Sequence, residues 1–307
     1  SAGGTRDLLK SLSFTDDIWC RTIRAGNLTL TDLVMRVTGR NGVFDVSHAR
    51  MSQFGGTGSG TLHADFTGTE PHFRATFTLS RLKIEELLQE PANAKNTEGL
   101  ADFSADLTAR GKTALELKRS VSGQVSLNGE NIRVNNVDID GLISALERSQ
   151  HFNLVDVGGY FLAGPWLGMA LTRGYKFADL YKESLGGKAV IVKLVSVWKV
   201  GNGVAEAVDV AMTTKKQRIA MKGGLNFVNE RFEEVTVAVL DKRGCAVYSQ
   251  KIHGPFSRPE IGTISTLRSL TSPLTNLLRS AKKLIEPGHC AVFYTGSVAA
   301  PARDKLP

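Results

Sequence analysis

The chain of 307 residues is short of aromatics, at 7%, and has only three cysteines, Cys20, Cys245 and Cys290, and nine prolines. No apolar run is long enough to span a bilayer as a helix. The cysteines sit far apart, none in a CxxC pair or a Cys/His cluster with metal-ligand spacing, so a zinc site is not expected and no cofactor is implied. The six histidines form no HExxH pair, and there is no GxSxG elbow. A serine three residues before a lysine occurs at Ser80/Lys83, Ser196/Lys199 and Ser280/Lys283, which is what chance produces. Gly111-Lys112-Thr113 ends like a phosphate loop, but Asp106 stands where its first glycine belongs. With no nucleophile and base at a recognisable spacing, the chain does not read as an enzyme.

What is present is 42% hydrophobic residues and 31 glycines, the composition of a folded, turn-rich, strand-leaning protein. Lys and Arg outnumber Asp and Glu by 38 to 30, a net charge of +8 that favours anionic partners. The basic residues, among them Lys193, Lys199, Lys215, Lys216, Lys222, Lys242 and Lys251, are scattered and lie beside no aromatic RNA-binding motif. They read as solvated strand faces, and nucleic acid is not an expected partner.

Period-two alternation dominates the pattern. Leu62, Ala64 and Phe66 alternate with polar residues, as do Phe73, Ala75, Phe77 and Leu79, which predicts two half-buried strands joined by the loop 67–72. Asn41-Gly42 separates two alternating runs as a tight hairpin does. Gly55 to Gly60 leads into a strand rather than a helix, so it reads as a turn or bulge and not as a phosphate cradle. Leu82, Ile84, Leu87 and Leu88 then recur at helical spacing behind Ser80 as cap. The same order returns with a strand at Val121 to Leu127, a turn at 128–131, a strand from Ile132 to Ile139 and a short helix at Leu142 to Leu146. A third, incomplete copy runs through Leu225 and Phe227 to Val235, Val237 and Val239.

Such repetition predicts a mainly β (α+β) fold: an elongated, curled antiparallel sheet that grows by hairpins, with short amphipathic helices. Three modules are expected: 1–94, 95–186 with an irregular connection from Val155 to Ser184, and 187–307. Leu274, Leu277, Leu278, Ala281, Leu284 and Ile285 mark a C-terminal helix over 272–286, closed by Lys282, Lys283 and Pro287-Gly288. It suits packing against the sheet, an anionic membrane surface or a partner protein. Cys245 and Cys290 lie in similar strand-like surroundings. They either pair, closing a loop of about 45 residues worth roughly 4 kcal/mol in the chain-entropy model, or stay apart as buried thiols.

These motifs, in order, resemble the C-terminal part of AsmA-family proteins of Gram-negative bacteria, over most of the chain. The residues that carry the likeness are Gly56 to Leu62 with the following hairpin, Ile84 to Leu88, Phe103 to Gly111, Val121 to Val125, Asn135 to Ile143, Asn202-Gly203-Val204 and Ile219 to Leu225. The ending is the most specific: Asp241 to Cys245, Gly254 to Pro259 and Cys290 to Val298. The resemblance implies a periplasmic protein of the AsmA/TamB-like, bridge-like lipid-transfer kind, tethered to the inner membrane through an N-terminal helix that these residues do not include. It also implies a β-groove whose apolar inside holds phospholipid acyl chains, a role in outer-membrane biogenesis, no catalytic residue set, and a compartment that permits a Cys245–Cys290 disulfide. Leu62, Phe66, Phe77, Val192, Leu194 and Trp198 are the expected groove lining. The competing expectation is a non-catalytic module that docks outer-membrane or periplasmic proteins through the C-terminal helix and the Tyr160 to Tyr181 segment.

Overall fold

The computed structural model describes residues 8–25, 28–87, 97–145, 154, 187–266 and 290–302. The expected C-terminal helix and the Tyr160 to Tyr181 segment lie outside these residues. The described strands form one antiparallel sheet of 14 strands that is not closed on itself. Its order follows the sequence: β1 (Ser13–Ala25), β2 (Leu28–Arg40), β3 (Val43–Gln53), β4 (Gly56–Asp65), β5 (His72–Lys83), β6 (Thr97–Arg110), β7 (Ser122–Asn135), β8 (Lys188–Gly201), β9 (Val204–Thr213), β10 (Arg218–Asn226), β11 (Arg231–Leu240), β12 (Ala246–Pro255) and β13 (Glu260–Ile261). A two-residue strand, β14 (Ser265–Thr266), also pairs with β12. Three short helices follow β5, β6 and β7: α1 (Ile84–Leu87), α2 (Ala114–Ser120) and α3 (Ile139–Ala145).

Local chemistry explains these elements. Asn41 and Gly42 both adopt positive φ, 51° and 84°, which the twisted two-residue hairpin turn requires. The glycine run does enter a strand, with the turn at Phe54 and Gly55. At Gly60 a side chain would stand 2.7 Å from the carbonyl of Thr76, so its absence is what lets β5 approach. Gly111-Lys112-Thr113 serves a helix rather than a phosphate. Thr113 accepts the N–H of Glu116 at 3.2 Å while the Glu116 carboxylate accepts the N–H groups of Lys112 and Thr113 at 2.6 and 3.2 Å. Those N–H bonds, the Lys112 one foremost, hold the Glu116 carboxyl below its ordinary value.

Two sequence expectations are corrected. Asn128 to Asn131 is no turn: β7 runs unbroken from Ser122 to Asn135, and Ile139 begins α3. Asn131 has φ 53° and buried positions change phase there, from Val125, Leu127 and Gly129 to Ile132 and Val134, so one extra residue is absorbed as a bulge. Ser80 does not cap the first helix, because β5 extends through Leu82 to Lys83 and Arg81, at φ 56°, again shifts the phase.

The chain divides into two compact units, one made of Ser1–Gly129, Val197–Glu206 and Asn226–Asn229, the other of Glu130–Ser196, Ala207–Leu225 and Glu230–Pro307. In the first, alternation prevails between phase shifts such as the one at Arg81, and one face of the sheet stays polar. Hydroxyl pairs cross its strands at Thr61–Thr76 (2.7 Å), Ser59–Thr78 (2.8 Å), Ser104–Ser126 (2.8 Å) and Thr108–Ser122 (2.9 Å). In the second, consecutive residues are buried, as at Ile219, Ala220 and Met221 and at Val237, Ala238 and Val239, so these stretches are covered on both faces. Phe232 and Phe256 stack edge to face there with centroids 4.9 Å apart.

Gly123 has φ 140°, and a side chain on it would run into the carbonyl oxygen of Asp106 on β6. Gly123→Ala is expected to destabilise the first unit by about 2 kcal/mol or more. Chemical denaturation checks this, and an unchanged midpoint would contradict it.

Candidate functional site

Pairing register sorts the residues of the first unit onto two faces, because directly opposed residues share a side of the sheet. On one side, Phe44 opposes Ala64 and Gly39, Val46 opposes Leu62 and Val37, and Met51 opposes Gly58. Leu62 opposes Ala75, Gly60 opposes Phe77, and Ala64 opposes Phe73. Leu107, Ala105 and Phe103 continue the face from β6, opposite Ala75, Phe77 and Leu79. Phe14 and Ile18 carry it onto β1.

The aromatic rings of this face stand in a row. Phe14 meets Phe44 (6.2 Å), Phe44 meets Phe66 (5.8 Å), Phe66 meets Phe73 (5.7 Å), and Phe77 meets Phe103 (6.1 Å). Gly39 makes the room for two of them, since a side chain there would meet the Phe14 and Phe44 rings. All of these rings are only half-buried, and Leu62 and Ile18 keep 39% and 38% of their surface. The result is a largely apolar surface across β1 to β6, interrupted by Asp16 opposite Val37, with serine, threonine, arginine, histidine and aspartate on the reverse.

In the second unit the C-terminal residues are fastened to the sheet. Cys245 and Cys290 form a disulfide with Cα atoms 6.0 Å apart, and Cys245 pairs with Val292 as an antiparallel bridge. The N–H groups of Phe293 and Tyr294 donate to the carbonyl of Gly244 at 2.8 and 3.0 Å. Asp209 accepts the Tyr294 hydroxyl and the N–H of Ser297 (3.0 Å), and the Tyr294 oxygen accepts the N–H of Val298 (3.0 Å). Burial, then the bond to Asp209, pushes the Tyr294 phenol well above its ordinary value. Arg218, buried beside this strap, donates to the carbonyls of Val298 (3.2 Å), Asp241 (2.8 Å) and Lys242 (3.3 Å).

The AsmA family model matches residues 16–156, from β1 through α3. This stretch belongs to the AsmA family. No curated protein and no solved structure matches the chain. The AsmA-family match contains the apolar surface of β1 to β6 except Phe14, and it ends before the strap at 290–302, so the likeness of the C-terminal motifs rests on their residues alone. AsmA-family proteins are envelope-associated, with roles in lipid transport and assembly, and the Cys245–Cys290 disulfide agrees with the oxidising periplasm.

Of the expected lining, the AsmA-family face brings Leu62, Phe66 and Phe77 to one side of the sheet. Phe66 joins it from beyond the end of β4, fixed by its N–H bond to Gly42 at 2.9 Å. On β8, Val192 is 39% exposed, whereas Leu194 and Trp198 are 3% and 1% exposed. Buried positions on β8 change phase between Ile191 and Leu194, so Val192 and Leu194 do not share an environment. Leu274, Leu277, Leu278, Lys282 and Lys283 lie outside the described residues. Among the described residues no helix is long and apolar enough to cross a membrane, and no group of His, Cys, Asp or Glu has the arrangement of a metal site. Of the Phe14–Phe44–Phe66–Phe73 row, only Phe66 was among the expected lining residues. The i, i+2 spacing of Phe44 before the hairpin and the pair Phe66/Phe73 flanking a loop is the signal that points to it.

Proposed function

We propose that the chain is a periplasmic β-groove module, tethered to the inner membrane, that binds phospholipid acyl chains and helps move phospholipids between the inner and outer membranes, supporting outer-membrane biogenesis without catalysis. The observation that carries this reading is the apolar face of β1 to β6, whose phenylalanines are half-buried rather than packed away. An apolar sheet face needs a cover, and acyl chains supply one at about 0.8 kcal/mol per buried methylene. Contacts of this kind are non-directional, so selectivity among lipids is low. The test is solvent extraction of the purified protein followed by mass spectrometry, against a similarly purified soluble control. Phospholipid at near-stoichiometric amounts is the expected result. Its absence, even after incubation with liposomes, would overturn the reading.

A further inference from the structure

The reverse, polar face of the first unit carries a basic cavity that acyl-chain binding does not use. A cavity of about 490 Å³ opens at the ends of β4, β5 and β6, lined by His63, His72, Arg74 and Arg110, by the hydroxyl residues Thr108, Ser120 and Ser122, and by Phe73 and Ala109. Among the described residues no carboxylate lines it. Gly201 at the end of β8 and Asn202 of the Asn202-Gly203 turn between β8 and β9 complete the lining. That turn is held against α2, since Gly203 packs on the carbonyl of Lys118 with no room for a side chain.

The register makes the basic residues neighbours. His63 stands directly opposite Arg74, which opposes Thr108, and in the adjoining row His72 stands opposite Arg110. Negative charge between a guanidinium and the imidazole opposed to it satisfies the donors of both. The protein supplies that charge incompletely. Asp45 takes His63 at 2.7 Å, and Asp106 takes Nη2 of Arg74 at a long 3.3 Å. Asp65, directly opposite His72, is engaged by the N–H and hydroxyl of Thr67 at 2.8 and 2.7 Å. Arg110 has no carboxylate partner among the described residues, and the remaining N–H donors of Arg74 are in the same position.

We infer that this cavity binds a phosphate group. Two guanidinium forks and two imidazoles lining one space present many donors at once, which a tetrahedral oxyanion with several acceptor oxygens satisfies and a single carboxylate does not. The phosphate arrives either as a lipid head group or as a free ion, and the chemistry of the site is the same for both. The basic side chains lie on the face opposite the phenylalanine row, of which only Phe73 adjoins the cavity, so this inference does not rest on the acyl-chain reading and can fail separately from it.

Calorimetric titration of the purified chain separates the possibilities, with inorganic phosphate in one arm and short-chain phosphatidylglycerol below its micelle concentration in another. Saturable binding in either arm, weakened at least about tenfold in Arg74→Gln/Arg110→Gln as expected for loss of a charged hydrogen bond, supports the site. Binding of the lipid as well as phosphate identifies a head-group site, and binding of phosphate alone identifies a free-ion site. Arg74→Lys/Arg110→Lys, which keeps charge but loses the fork, is expected to fall between. Leu62→Asp, on the other face, is expected to leave phosphate binding unchanged. No saturable heat in either arm, or undiminished binding by a Gln double variant whose circular dichroism and melting match the parent, would overturn the inference.

Discussion

Replacing Cys245 and Cys290 together by serine is expected to lower the stability of the second unit by about 4 kcal/mol and its melting temperature by roughly 10 °C. The bridge joins residues separated by 45 positions, so its loss restores a large loop entropy to the unfolded chain. It also frees one end of a strap whose Tyr294 and Val298 are buried at 7% and 0% exposure. The other fastenings remain: Asp209 still accepts from Tyr294, and Arg218 still donates to Val298. The reduced protein is therefore expected to keep its sheet while residues 290–302 become the first segment to exchange amide hydrogens. Mass measurement after alkylation tests the premise. Three alkylated cysteines without reductant would show that the bridge is not formed, and equal melting curves with and without reductant would show that it does not stabilise.

Much of the fold was legible in the sequence because one chemical pattern repeats. Strict alternation at Phe73, Ala75, Phe77 and Leu79 can satisfy only a half-buried strand, and β5 has that form. Asn41-Gly42 can satisfy positive φ at both turn positions, and the hairpin is there. What alternation cannot reveal is a shift in its own phase. At Arg81 and Asn131 a non-glycine residue takes positive φ inside a strand, the side-chain parity changes, and the strand continues. Read as alternation, such a point looks like a turn at Asn128 to Asn131 or the start of a helix near Leu82. Thr113-x-x-Glu116 was the opposite case, a legible capping box in a segment whose lysine drew attention to phosphate instead.

The candidate surface was legible only where register could be inferred from the strand itself. Leu62 and Phe77 belong to one unbroken alternating hairpin, and they share a face. Phe66 reaches that face from a loop, which periodicity does not describe. On β8 the apolar run Val190, Ile191, Val192, Leu194 and Val195 has too few polar residues to mark its faces, so the distinction between an exposed Val192 and a buried Leu194 comes from packing alone.

This contrast decides which substitutions can report on lipid. Leu194→Asp and Trp198→Asp would each put a carboxylate where 3% and 1% of the side chain is exposed, and each is expected to cost about 3 kcal/mol or more and to unfold the surrounding strands. Lipid lost from such a variant says nothing about where lipid sits. Leu62 is different: it is 39% exposed, between Val46 and Ala75 on the apolar face, so Leu62→Asp is expected to change stability by only about 1 kcal/mol. Its carboxylate would nevertheless stand among the acyl chains, and co-purifying phospholipid is expected to fall about tenfold. The matched control is Thr61→Asp, one residue away and on the polar face opposite Thr76, which carries the same charge and is expected to leave bound phospholipid unchanged. Quantifying extracted phospholipid from the two variants therefore reads the face directly. Equal loss in both would mean that the added charge acts through the field of the whole protein. Equal retention would mean that the phenylalanine row holds something other than lipid, and the cover of that face would have to be sought in a protein segment.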